Sequence, residues 1–149
     1  MMKNILTFLF ALTITTFIFG QTDTSQYVII ITDGWASFPG SKPTTLTKID
    51  LSDIDILVKQ SIDNYNSKQN KEDINNCIKL PEYKRQYIAV INKKGEKEVW
   101  VNCFCNTGGK NWKKEIIHTD EDDGGKCFFN LKINLTTKKY YDLFVDGKG

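Results

Sequence analysis

The sequence predicts an α+β domain in which one amphipathic helix packs on an antiparallel β-meander of four to five strands. Three observations carry this reading. Apolar residues between positions 51 and 67 recur with a period near 3.6. After Pro81 the period changes to two. The period-two runs are separated by turn residues rather than by a second helix, which is the element order of a helix laid on one face of an antiparallel sheet.

The elements follow in order. Residues 27–32 (YVIIIT) are β-branched and stop at Asp33-Gly34, so they read as a short strand. Gly34, Pro39, Gly40 and Pro43 make residues 33–47 a loop. The helix follows. Ser52 is read as its N-cap, Asp53 and Asp55 lie in its first turn, and Leu51 and Ile56 have hydrophobic-staple spacing. Ile54, Leu57, Val58, Ile62 and Tyr65 form its apolar face, and it is expected to end near residues 64–67. Residues 67–76 are polar.

Beyond Pro81, residues 85–91 form a strand, Asn92-Lys93-Lys94-Gly95 a turn, and residues 96–105 the returning strand. Residues 112–119 read as a weaker strand and Asp122-Asp123-Gly124-Gly125 as a turn. Residues 127–135 are a strong strand, and residues 140–145 return after the turn at 136–139. Cystatin-like rolls share this order of elements, an analogy of fold that carries no function.

Alternation sorts the strands into faces. Val99, Val101, Cys103 and Cys105 share one face, as do Cys127, Phe129, Leu131, Ile133 and Leu135, and both sets are expected under the helix. The opposite face carries Trp100, Asn102 and Phe104, with Phe128, Asn130, Lys132 and Asn134. Aromatic and amide groups interleaved in this way suit a sugar or a peptide, so Trp100, Asn102, Phe104, Phe128 and Asn130 are the candidate binding residues. The competing reading is that residues 33–47, which carry Trp35 and Phe38, fold over this face.

The N-terminus indicates export. Lys3 precedes an apolar segment from 5 to 19. As a helix it would reach about 22 Å, short of the roughly 30 Å of bilayer hydrocarbon, so it reads as a signal h-region with cleavage near Gly20. Residues 1–20 are then a signal peptide and residues 21–149 one domain, secreted or periplasmic, with no membrane association after cleavage. Lys3 is the only charge in the first twenty residues, so the exported chain is near neutral. Arg85 is its only arginine, and the absence of a clustered basic surface argues against nucleic acid as a partner.

Four cysteines, Cys77, Cys103, Cys105 and Cys127, suit an oxidising compartment and a disulfide scaffold. They admit three connectivities. A bridge from Cys103 or Cys105 to Cys127 is favoured by the shared sheet face, and a bridge between Cys103 and Cys105 would be strained. A Cys₃His zinc site with His118, the only histidine, lacks the usual Cys-x₂₋₄-Cys spacing. A thiol nucleophile would have only His118 as its base. The acidic run at 120–123 lacks the rest of a calcium loop and reads as a solvated hairpin tip. No metal or cofactor is therefore assigned.

The stretches YKRQY (83–87), GEKEVWVNCFC (95–105), GGKCFFNLKINL (124–135) and YYDLFVDG (140–147) resemble a group of small exported bacterial proteins of uncharacterised function. That resemblance implies an exported bacterial protein and brings no activity or ligand. Two function classes follow. The leading one is a non-catalytic binding or inhibitor-like module that contacts an extracellular protein, peptide or glycan through the aromatic sheet face. The alternative is a small exported thiol- or metal-dependent enzyme built on Cys103, Cys105, Cys127 and His118.

Overall fold

A computed structural model describes residues 26–69, 77–118 and 125–146. The expected signal peptide at residues 1–20, most of the polar stretch after the helix and the acidic run at 120–123 lie outside the described residues. The elements are β1 (Tyr27–Ile29), β2 (Lys42–Pro43), α1 (Lys48–Ser67), β3 (Lys84–Ile91), β4 (Lys97–Phe104), β5 (Phe128–Asn134) and β6 (Lys139–Val145). One helix and one mixed sheet make the domain α+β.

The sheet runs β1-β3-β4-β5-β6, with β2 also on β3. From β3 to β6 each strand pairs antiparallel with the next. β1 departs from that pattern. It runs parallel to β3, Tyr27 opposite Arg85 and Ile29 opposite Tyr87. The chain then leaves the edge and returns as β2, antiparallel to the far end of β3. The edge of β3 is thus occupied twice by one segment, and residues 31–41 are thrown outward between the two contacts. Pro43 is tolerated in β2 because an edge strand can spare an N–H.

The helix cap lies five residues before the expected one. Thr47 is the N-cap, and its hydroxyl accepts the Asp50 N–H at 3.2 Å. The Asp50 carboxylate accepts the Thr47 N–H at 2.8 Å, completing a reciprocal capping box. Leu46 and Leu51 then occupy the staple positions, displacing the Leu51/Ile56 pair one turn. The end at Ser67 agrees with the sequence reading.

Leu51, Ile54, Leu57, Val58 and Ile62 of α1 pack on Val99, Val101 and Cys103 of β4 and on Phe129, Leu131 and Ile133 of β5, with Leu135 just beyond. This is the inner face that alternation assigned, except that Cys105 and Cys127, also expected under the helix, lie just beyond the ends of β4 and β5 and outside this core. Each core side chain contributes about 1.5–3 kcal/mol by leaving water. Carboxylates early in α1 fix the helix across the strands. Asp50 pairs with Lys97 at 2.8 Å, Asp55 with Arg85 at 2.6 Å, and Asp53 with Lys138.

The strand expected at 112–119 does not form over its described residues, 112–118. Residues 111–118 are turns and irregular chain. Their backbone groups are bonded by side chains rather than by a strand ladder, as described below.

Asp50 serves both the cap and the ion pair. Burial opposes its charge, but donors from Lys97 and Thr47 outweigh that and hold the carboxyl below its ordinary value. A lowered carboxylate gives stability that is present above the unfolded value, near pH 4, and is lost as pH falls through the folded one. Asp50→Asn should therefore cost about 1–2 kcal/mol at pH 7. Urea unfolding of the two proteins should show the gap narrowing at pH 3; a gap unchanged by pH would contradict this assignment.

Candidate functional site

The outer sheet face was the candidate contact surface, and two segments cover half of it. The first is the outward loop between β1 and β2. Trp35 rests on Trp100 with ring centroids 5.0 Å apart, and Phe38 is buried against Ile88, Val90 and Trp100. The second is the segment after β4, whose Trp112 and Ile117 pack on Phe104. Trp112 meets Phe104 edge-on at 6.1 Å.

A buried amide pair holds the second segment. Gln86 of β3 is fully buried. Its Nε2 donates to the carbonyls of Trp112 and Glu115, both at 2.6 Å. Its Oε1 accepts the Ile117 N–H at 3.0 Å and the Asn102 Nδ2–H at 3.1 Å. Asn102 Nδ2 also donates to the Ile117 carbonyl at 2.7 Å. Gln86 and Asn102 are opposite each other on β3 and β4, so their outward side chains meet by register. A disulfide joining Cys105 to Cys127, Cα atoms 5.1 Å apart, closes the loop that contains this cover. For a loop of that length the chain-entropy estimate is about 3.5 kcal/mol.

These contacts bury part of the expected surface. Trp100, Asn102 and Phe104 are 7%, 5% and 0% exposed and form a covered layer instead of an open surface. Phe128 and Asn130 remain half-buried on β5, Phe128 against the edge of the cover. With Ile117, His118 and Phe144 they line a cleft of about 120 Å³ whose floor is Trp100 and Asn102.

The sequence reading missed the contribution of β6. Asn130 faces Phe144 while Lys132 faces Tyr141, two residues on β5 against three on β6. This is a bulge, and Asp142 takes it up with φ +50°. Tyr141 and Phe144 are three apart, which in a regular strand puts them on opposite faces. The extra residue turns both outward, while Tyr140, Leu143 and Val145 pack on the inner core. Phe144 is 56% exposed. Tyr141 donates its hydroxyl to Glu98 at 2.9 Å. Lys132 lies over the Tyr141 and Phe38 rings and pairs with Asp142 at 3.1 Å. The uncovered half of the face is therefore a strip of Phe144, Asn130, Lys132, Tyr141 and Glu98.

The cysteines divide differently. Cys105 and Cys127 are bonded to each other, and Cys77 and Cys103 are thiols. Cys103 is on the inner face beneath α1, whereas His118 is exposed beside the outer cleft. The sheet separates the two. Burial pushes the Cys103 thiol up to about 12, so it is protonated at neutral pH. Among the described residues no three His, Cys, Asp or Glu side chains cluster as a metal site would require. Compared with protein-family models, with curated proteins and with solved structures, the chain finds no match.

The thiols give a direct check on this arrangement. Without reductant, native protein at pH 8 should show one fast-reacting thiol, the half-buried Cys77. A second, Cys103, should appear only on unfolding. Two fast thiols in the native state would contradict the burial of Cys103.

Proposed function

We propose that this chain is an exported, non-catalytic binding or inhibitor-like module that contacts an extracellular protein, peptide or glycan through the β5–β6 strip of its outer face. The observation that carries this is the bulge at Asp142, which presents Tyr141 and Phe144 together on the half of the face left open. An edge-strand bulge with an exposed aromatic beside it has no packing role for that aromatic, and such devices re-aim side chains. The surrounding groups mix ring faces, an amide, an ammonium and a carboxylate, the combination that recognises sugars and peptide backbones. On this reading the site has moved within the aromatic face, from β4 to β5–β6, and its class is kept. The helix on one side of the β3–β6 strands is compatible with the cystatin-like roll. The apolar segment at 5–19 and the bridged cysteines support a secreted or periplasmic location and the likeness to small exported bacterial proteins.

The alternative enzyme reading receives no support from the placement of Cys103 and His118 on opposite faces.

A printed array of bacterial and host glycans and of extended peptides, probed with labelled protein, tests the proposal. Wild type should bind a related set of spots. Tyr141→Ala and Phe144→Ala should each weaken that binding about tenfold while melting within a few degrees of wild type. Binding untouched by both variants, or no binding on the array, would overturn it.

A further inference from the structure

The Tyr141 end of the strip opens into a cavity of about 300 Å³, lined chiefly by Phe38, Pro39, Lys93, Lys94, Glu98 and Tyr141. That volume is at the small end of ligand sites and suits a single ring with its substituents. Its three kinds of wall can be read separately.

The rim is cationic and built. Asn92 Oδ1 accepts the N–H groups of Lys94 and Glu96, which fixes the β3–β4 turn, and Gly95 completes the turn at φ +81°. Lys93 lies against Gly40, where an added Cβ would come within 2.4 Å of its Cε. Gly40 thus leaves the space that Lys93 fills. Lys132 is neutralised by Asp142 and Lys94 interacts with the charge of Glu96, whereas Lys93 has no ion-pair partner among the described residues. The walls are apolar, from Phe38, Pro39 and the Tyr141 ring. The floor is an acceptor. Glu98 Oε1 receives the Tyr141 hydroxyl at 2.9 Å and Asn134 Nδ2 at 3.4 Å. Its Oε2 has no hydrogen-bond donor among the described residues.

A ligand that matches all three has an anionic group for the rim, a body with an apolar face for the walls, and hydroxyl donors for Glu98. A bare phosphate meets the Glu98 charge at the floor. A neutral sugar leaves the Lys93 ammonium without a counter-charge. An amine would satisfy Glu98 but must enter past two cations. We propose that this cavity binds one acidic sugar residue, a pyranose bearing a carboxylate, within an extracellular polysaccharide. The carboxylate lies at Lys93 and Lys94, ring hydroxyls donate to Glu98, and the C–H face of the ring rests on Tyr141. The proposal rests on the reading of the β5–β6 strip as the contact surface, and it names the ligand class for one end of that strip.

Calorimetric titration of the full exported chain with a galacturonic acid trisaccharide and with the neutral galactose trisaccharide tests it. The acidic trisaccharide should bind at least about tenfold more tightly than the neutral one, and its binding should weaken as salt is raised. Lys93→Gln with Lys94→Gln, both exposed positions, should abolish that preference. Glu98→Gln, which keeps an acceptor for Tyr141, should weaken both sugars alike. Equal binding of the two sugars, or an acidic preference that survives the lysine changes, would overturn the ligand class. So would binding of neither sugar by a protein whose array binding depends on Tyr141, and in that case the module reading stands. Loss of array binding as well would remove both.

Discussion

The outer half of this structure depends on one buried carboxamide. Gln86 uses both its oxygen and its nitrogen, bonding two carbonyls, one backbone N–H and the Asn102 amide. An unsatisfied buried donor or acceptor costs about 1–3 kcal/mol, so a network of this kind is stable when complete and unfavourable when partial. The segment after β4 has few apolar residues and no strand partner. It is a defined cover because Gln86 and Asn102 take the place of the missing ladder. The cover in turn keeps Phe104 from water, as Trp35 and Phe38 of the β1–β2 loop do for Trp100.

The two faces of the sheet are solved by different physics. The inner face is an apolar contact with one helix, fixed at its N-terminal end by carboxylates that reach the strands. The outer face is divided between a covered half over β3 and β4 and an open half over β5 and β6. The disulfide and the amide pair hold the part of the cover that follows β4, and ring contacts of Trp35 and Phe38 hold the rest. The bulge populates the open half by turning Tyr141 and Phe144 the same way. Burial and the bond to Glu98 push the Tyr141 hydroxyl well above the ordinary phenol range, so it remains a donor at any physiological pH.

Much of the inner face was legible because it follows simple periods. The apolar stripe of α1, the alternation from Val99 to Cys103 and from Phe129 to Ile133, and the Asn92–Gly95 turn all appear where the pattern puts them. The start of the helix was misread because Thr47 and Ser52 both satisfy local capping rules. The Asp50 carboxylate decides between them by closing the box on Thr47. The outer face was legible in composition and not in exposure. Alternation identifies Trp100, Asn102 and Phe104 as sharing a side, but says nothing about what lies over them. Trp35 and Phe38 were visible as material for a cover. The role of residues 112–117 was hidden, because a segment bonded to side chains leaves no periodic trace. The bulge was hidden for a similar reason: the β6 stretch is aromatic or apolar at consecutive positions, so one extra residue does not disturb its pattern.

The central claim is that the amide pair locks the cover onto the sheet. Amide hydrogen exchange at Ile117, in wild type and in Gln86→Leu, tests it most directly. The account predicts that in wild type this amide exchanges nearly as slowly as those of β4, although it belongs to no strand. It should lose that protection in the variant while the β4–β5 ladder keeps its own. Fast exchange at Ile117 in the wild-type protein would contradict the account.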